Sequence, residues 1–215
     1  MRAPLRAAVL LVIAALLSPR AAAAVTFGGR AFGGYNTYAM GDWSDVLAGL
    51  RAPAGAIAPE DDGYSLGVGA DLVWSASWCL TGSYERVVPG RQGEIRGRRV
   101  HLPANAVLLE LEYRRRAGTR LTLGVGGGGG YYQLGEEVES PGTGQNFAGS
   151  AFGGQVYGLG ERTITPVVSL GLAVGYRSAK VGVDKVDFQV PTRDIELDYT
   201  GLTARLVLRI HQGKR

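Results

Sequence analysis

The sequence has few cysteines and histidines, and it has no long apolar segment beyond its first residues. It contains a single cysteine, Cys79, and therefore no disulfide can form within the chain. Beyond residue 24, no segment is continuously apolar over the roughly 20 residues that a membrane-spanning helix needs. Only two histidines occur, His101 and His211. These scarcities exclude a disulfide framework, and they exclude a helical membrane anchor in the remainder of the chain.

The first 24 residues have the pattern of a secretory signal peptide. Arg2 and Arg6 precede an uninterrupted apolar run over 7–17, and a group of small alanines follows, as signal peptidase requires. The apolar run is too short to span a bilayer as a helix. We therefore expect Sec-dependent export, a signal peptide over 1–24 and one mature domain over 25–215.

The positive charge of the chain is partly a property of this first segment. The full sequence has 23 Lys and Arg against 19 Asp and Glu, a net charge of +4. Removal of Arg2, Arg6 and Arg20 leaves 20 against 19, or +1. A nucleic-acid partner therefore has no electrostatic support in the mature chain, and none is expected.

Glycine is abundant where a soluble protein would avoid it. The 34 glycines amount to about twice the usual share, and many lie inside segments that otherwise have the pattern of strands. Glycine inside a strand weakens it. The curved wall of a β-barrel tolerates glycine, because curvature and close packing use missing Cβ atoms.

The segment 197–210 alternates residues with a period of two. One face carries aliphatic residues only: Leu202, Ala204, Leu206, Leu208 and Ile210. The other face carries Gly201, Thr203, Arg205, Val207 and Arg209. Two arginines opposite five aliphatic residues fit a wall with lipid outside and polar groups inside.

Seven further segments have strand character, and the connections between the segments differ in length. The strands are predicted at 65–74, 78–86, 106–114 and 168–176, with glycine-rich ones near 25–38, 119–133 and 149–160. Short connections at 75–77, 115–118 and 161–162 alternate with long ones at 39–63, 89–99, 134–148 and 179–194. This order is typical of an up-and-down barrel with both termini in the periplasm.

The sequence therefore predicts an all-β protein, an eight-stranded antiparallel up-and-down transmembrane β-barrel. The segment 42–50 has a helical spacing of apolar residues, which predicts a short helix in the first outer loop. A soluble, lipocalin-like barrel would show the same alternation with its aliphatic residues inside. The sorted loop lengths and the glycine content favour the membrane barrel over this alternative.

The whole mature chain resembles the small outer-membrane barrel families of bacteria, of the OmpX, OmpW and opacity-protein type. The resemblance lies in the closing segment, where 198–202 (DYTGL) leads into alternating aliphatic residues. It implies insertion into the outer membrane by the barrel-assembly machinery. Such barrels commonly end on an aromatic residue, whereas this chain continues past Ile210 into His211 and four further residues.

Charged residues in the inward phase of the predicted strands form the most informative set. They number four of each sign: Arg30, Asp71, Glu85, Glu110, Glu112, Arg114, Arg205 and Arg209. We interpret them as an ion-pair plug, since the interior of an eight-stranded barrel is usually filled by side chains. The alternative is a polar pathway for ions or small solutes.

Aromatic residues near the predicted strand ends are expected at the membrane interfaces: Tyr35, Trp74, Trp78, Tyr113, Tyr176 and Tyr199. A catalytic site is not expected. His101, Glu94 and Ser83 can be drawn as a triad, but the sequence does not fix its geometry. We assign no catalytic residue, no metal and no cofactor.

Three functions remain open at this stage. The first is an integral outer-membrane barrel with a charge-filled lumen, whose long outer loops contact lipopolysaccharide or an unidentified ligand. The second is a narrow pore or conduit for small hydrophobic solutes. The third is a barrel enzyme that modifies lipid A, and we expect the protein not to be an enzyme.

Overall fold

The computed structural model describes residues 25–38, 62–89, 93–95, 98–100, 103–134, 148–185 and 196–211. The predicted signal peptide over 1–24 and the predicted loop helix over 42–50 lie outside these residues, so both remain predictions. Among the described residues, no helix has the length and apolar character needed to cross a membrane.

The described residues form twelve strands. In chain order they are β1 (Thr26–Thr37), β2 (Asp62–Val73), β3 (Trp78–Pro89), β4 (Gly93–Ile95), β5 (Arg98–Val100), β6 (Ala104–Arg116), β7 (Leu121–Leu134), β8 (Ala148–Thr165), β9 (Val168–Ser178), β10 (Lys180–Lys185), β11 (Glu196–Asp198) and β12 (Gly201–His211). Eight of them, β1, β2, β3, β6, β7, β8, β9 and β12, pair each with the next along the chain, all antiparallel.

Pairing of the last strand with the first closes the ring. β12 pairs with β1 from Gly28↔His211 to Asn36↔Thr203, and its other edge pairs with β9. Closure removes the free edges, so every strand of the wall has two hydrogen-bonded neighbours. The predicted eight-stranded, up-and-down topology is confirmed.

The other four strands extend the structure at the end that carries the long connections. β4 and β5 form a hairpin between β3 and β6. β10 continues β9 and pairs with β8, and β11 pairs with β10 in front of β12. The wall is therefore taller on the side of β8, β9 and β12.

Several predicted boundaries differ from the structure by a few residues. The turn between β6 and β7 spans 117–120 and not 115–118, and the turn between β8 and β9 spans 166–167 and not 161–162. The predicted strand 197–210 is broken at Tyr199 and Thr200. The break is held by the Asp198 carboxylate, whose Oδ1 accepts a hydrogen bond from the Thr200 amide at 2.9 Å and bends the chain.

The two faces of the wall differ completely in chemistry. Aliphatic side chains point outward and are exposed, for example Leu66 and Val68 on β2, and Leu206 and Leu208 on β12. The inward face carries the buried charged residues. This is the reverse of a lipocalin-like soluble barrel, and it contradicts that alternative, because aliphatic rows exposed around a closed wall need lipid as solvent.

Glycine permits one close approach between strands. A Cβ at Gly128 would overlap the carbonyl oxygen of Leu109, and a Cβ at Gly130 would overlap that of Val107. Both clashes are with the backbone of β6, which cannot move without disturbing the ladder between β6 and β7. The glycines at 128 and 130 are thus required by the packing of the wall.

We expect Gly130→Ala to lower the free energy of unfolding by about 1–3 kcal/mol, the usual cost of overpacking. The matched control is Gly82→Ala on β3, where an added Cβ has no neighbour within 4 Å. A closed barrel that has not been heated migrates differently from the heat-denatured chain on a semi-native gel. The urea concentration at which the band of the folded barrel disappears measures the change in stability. Equal midpoints for the two variants would contradict the close approach.

Candidate functional site: the charged interior of the barrel

Ten charged side chains fill the interior of the described strands. The eight that the sequence analysis proposed all point inward, seven of them buried and Arg114 partly so. Two more, Glu161 and Arg177, join them. The interior therefore holds five arginines and five carboxylates, from seven of the eight strands of the wall.

Arg209 of β12 lies at the centre of the half of the network nearest the short turns. Its Nε is 3.1 Å from Oδ2 of Asp71 and 3.6 Å from Oε2 of Glu161. Its Nη2 is 3.0 Å from Oε2 of Glu112. Arg30 of β1 reaches the same Glu112, with Nη1 2.6 Å from Oε1. Two arginines of neighbouring strands thus hold carboxylates from three other strands.

Uncharged side chains complete the coordination of these carboxylates. Tyr157 donates a hydrogen bond from its hydroxyl to Glu112 at 2.7 Å, and Thr81 donates to Asp71 at 2.7 Å. Every carboxylate of this half accepts at least one charge-assisted or neutral hydrogen bond. These hydrogen bonds offset the free-energy cost of burying an ionised group.

Glu85 of β3 forms the other half of the network, nearest the long connections. Its Oε1 is 2.6 Å from Nη2 of Arg177, and its Oε2 is 3.1 Å from Nη2 of Arg205. The side chains of Arg177 and Glu85 are both 0 % exposed. The guanidinium of Arg177 also lies 5.8 Å from the ring centre of Tyr132, in cation–π contact.

Gln155 of β8 joins the two halves. Its Nε2 donates to Glu110, which also pairs with Arg30, and its Oε1 accepts from Nη2 of Arg205. The half near the short turns has three arginines against four carboxylates, and the half near the long connections has two against one. The interior is thus neutral as a whole, and its two ends carry opposite net charge.

Glu161 and Arg177 are not among the residues predicted from the sequence, because both strands extend beyond their predicted ends. Glu161 was assigned to a connection, although it continues the inward phase of Gln155, Tyr157 and Leu159 in β8. Arg177 follows the last residue of the predicted strand and continues the phase of Ala173 in β9. Extending each alternation would have found both residues.

An apolar patch lies among the charges, in contact with Arg30 and Arg205. Phe32, Leu159, Ala173 and Val207 form a buried cluster, with Tyr157 packed against it. The cavity between this patch and Arg30, Glu112 and Arg205 leaves about 10 Å³ for the centre of a water molecule. A volume of this size holds about one water.

Five of the six aromatic residues proposed for the interfaces lie on or near the outer surface. Tyr35, Trp78, Tyr113 and Tyr176 are exposed, and Trp74 is half-buried after β2. Trp78 and Tyr113 pack edge to face with ring centres 5.1 Å apart.

Tyr199 departs from that expectation. It is fully buried and packs against Tyr38, with ring centres 5.8 Å apart. It lies at the break before β12, where the change of phase turns its side chain away from lipid.

The proposed triad is not brought together within the described residues. His101 lies outside them, nothing is described of the Glu94 side chain, and Ser83 faces the interior near Glu110. A different serine–histidine pair exists, since Ser169 Oγ is 3.0 Å from Nε2 of His211.

That pair does not have the geometry of a hydrolytic triad. Glu161 Oε1 approaches the same nitrogen, His211 Nε2, at 3.4 Å, whereas an orienting acid would contact Nδ1. Ser169 is moreover buried in the wall, so it offers no path for a lipid ester to reach its hydroxyl.

A closed antiparallel barrel with an aliphatic exterior and a charged interior is the architecture of integral β-barrels of the bacterial outer membrane. The fold and the location expected from the sequence are therefore confirmed. No family model and no curated protein sequence matches the chain.

Solved structures of small outer-membrane barrels share the fold. Neisserial surface protein A aligns with a TM-score of 0.54 at 12% identity, over 87% of this chain and 97% of that one. The outer membrane protein OprG from Pseudomonas aeruginosa aligns with a TM-score of 0.50 at 12% identity, over 88% and 95%. At such identities the likeness concerns the fold.

We expect Glu112→Gln to lower the free energy of unfolding by about 1.5–3 kcal/mol, because it weakens the charge-assisted hydrogen bonds that Glu112 accepts from Arg30 and Arg209. Both arginines keep other carboxylates in contact, so neither is left without a counter-charge. The measurement is a urea titration of protein refolded in lipid vesicles, followed by the heat-modifiable band. The matched control is Asp198→Asn, which removes the charge partner of Lys180 in a pair with 57% and 17% side-chain exposure.

The control should cost less than about 1 kcal/mol, since exposed pairs contribute little. The asparagine also keeps the Oδ1 that accepts from Thr200. Similar small losses in both variants would show that the interior pairs are solvated and that the lumen is open to water.

Proposed function

We propose that this protein is a closed integral outer-membrane barrel that acts through the surface it presents, with a charge-filled lumen that does not conduct. The observation that carries the proposal is the network of five arginines and five carboxylates that crosses the interior. It joins opposite sides of the wall, and the cavity between it and the Phe32 patch holds about one water molecule.

Energetics supports a permanent plug. Opening a path through the network would separate pairs such as Arg177 and Glu85, neither of which is exposed. Leaving one buried charge without its partner costs about 3–5 kcal/mol, and several pairs would have to open together. Thermal fluctuation supplies too little free energy for this to happen often.

The long connections are then the part of the protein that can meet other molecules. They all leave the same end of the barrel, where β4, β5, β10 and β11 extend the structure beyond the ring. We propose outer-membrane lipid and lipopolysaccharide as partners there, with an unidentified ligand at the outer loops, and the barrel-assembly machinery as the partner during insertion.

A narrow pathway is the second candidate, and one observation favours it. Buried polar atoms of the interior lack a hydrogen-bond partner among the described residues, for example Nη1 of Arg177 and the hydroxyl of Tyr132. Such atoms are usually satisfied by water. A chain of waters along them would allow small polar solutes or ions to pass at a low rate.

We expect the wild-type protein to insert into planar bilayers without conductance steps. The double variant Arg30→Ala/Glu112→Ala should produce steps, because it removes two side chains that meet at 2.6 Å across the lumen and leaves the net charge unchanged. The control Lys180→Ala/Asp198→Asn changes an exposed pair outside the ring and should remain silent.

Each protein is first checked for the heat-dependent gel shift that marks a closed barrel. Steps from the wild type equal to those of the double variant would overturn the plug and leave the narrow pathway as the function. A protein without the gel shift in membrane would contradict the barrel in lipid itself.

A further inference from the structure

Four arginines lie together at the end of the barrel that carries the short turns. They are Arg115 and Arg116 at the end of β6, Arg120 in the turn and Arg162 in β8, and all four are exposed. The registers bring them together, since Arg116 is opposite Thr122, and Leu121 is opposite Arg162. The Thr163 amide also donates to the carbonyl of Arg120 at 2.8 Å. We call these four residues the rim arginines.

The rim arginines have no counter-charge within the part of the chain that the structure describes. None of them forms an ion pair with any residue in the described ranges, unlike the five arginines of the interior. Glu161, the acid nearest to them along β8, points inward and is held by Arg114 and Arg209. The outer surface at this place therefore carries about four uncompensated positive charges.

Two of the rim arginines face the lipid side of the wall. Arg115 continues the outward phase of Leu109, Leu111 and Tyr113 along β6. Arg162 lies two residues before Ile164, which is exposed on the same face of β8. Between the two arginines, β7 presents the exposed Leu121 and Leu123.

The level of the membrane boundary is marked by a neighbouring aromatic pair. Trp78 is opposite Tyr113 in the ladder between β3 and β6, two residues before Arg115. Tryptophan and tyrosine prefer the headgroup level of a bilayer. The apolar stems of Arg115 and Arg162 can therefore lie against hydrocarbon while their guanidinium groups reach the phosphate level.

We propose that the rim arginines bind the phosphate of an anionic phospholipid in the periplasmic leaflet. A planar guanidinium presents paired N–H donors that match phosphate oxygens, and each arginine near an anionic surface contributes attraction. This inference rests on the proposed function, because it requires the barrel to span the bilayer with its short turns at the periplasmic side.

A soluble periplasmic partner fits the site less well. Arg115 and Arg162 lie on the outward, lipid-facing side of their strands, in line with the exposed aliphatic residues and not at the tips of the turns. A protein partner would have to displace lipid from Leu121 and Leu123 to reach both. A lipid headgroup reaches them with its acyl chains on that same apolar surface.

The test uses tryptophan quenching by dibrominated lipids in vesicles that contain the full barrel. Trp78 and Trp74 lie at the same end of the wall as the rim arginines, and Trp43 is replaced by phenylalanine in every protein so that it does not contribute. Dibrominated phosphatidylglycerol is compared with dibrominated phosphatidylcholine. We expect the phosphatidylglycerol to be preferred by at least about threefold, from the attraction of arginines near an anionic surface.

The variant Arg115→Gln/Arg162→Gln should bring the preference to about one, and the single variants should give intermediate values. The charge-matched control Arg86→Gln/Lys180→Gln removes two cations from the other end of the barrel and should keep the full preference. Added salt should weaken the wild-type preference, because the rim arginines are exposed.

Equal quenching by the two lipids in the wild type would overturn the lipid site and leave the rim to a soluble partner. A preference that persists in Arg115→Gln/Arg162→Gln would overturn it as well. Failure of the proposed function looks different, because a protein outside the bilayer would be quenched by neither lipid and would show no gel shift. If the double variant does not fold by that shift, the two single variants decide.

Discussion

Hydrocarbon offers no partner to a peptide group, and this constraint shapes the whole molecule. Each backbone N–H and C=O within the membrane has to be paired inside the protein, and a sheet achieves this only by closing on itself. The contact between β12 and β1, the last and first strands of the ring, is therefore as necessary as any contact between consecutive strands. Once the ring is closed, its diameter is fixed by eight strands, and so is the narrow space left for inward side chains.

Charge pairing follows from that narrow space. An isolated ion in so confined an interior would be very costly, and each carboxylate here lies within a few ångströms of a guanidinium. One end of the lumen has one excess carboxylate and the other has one excess arginine, so the interior has a net dipole along the barrel axis. Gln155 links the two ends by hydrogen bonds. The same pairing that stabilises the fold also places side chains across the lumen, so the stability of the barrel and the filling of its interior have one cause.

Particular residues show how far sequence reasoning reaches in a protein of this kind. The alternation in 201–210 was sufficient to place Arg205 and Arg209 inside and Leu206 and Leu208 outside, because a strand has a strict period of two. The alternation did not predict the position of Tyr199, because a turn held by the Asp198 carboxylate changes the phase of the strand there. Such a turn depends on a local hydrogen bond, which is not visible in the pattern of apolar and polar residues. The alternation also failed at Glu161 and Arg177, because strand ends are set by where the neighbouring strands end.

The sequence by itself determined the class of structure: a strand period, a lipid-facing face, an inward charged face and an order of short and long connections. These are properties of near neighbours along the chain, and the period of a strand converts them directly into faces. Only the tertiary structure decided which charges meet. Arg30 and Glu112, or Glu85 and Arg177, are separated by 82 and 92 residues, and they come together because the closure of the ring and the register of each strand pair fix their positions. Pairings across a barrel are set by that register, which no local pattern in the sequence specifies.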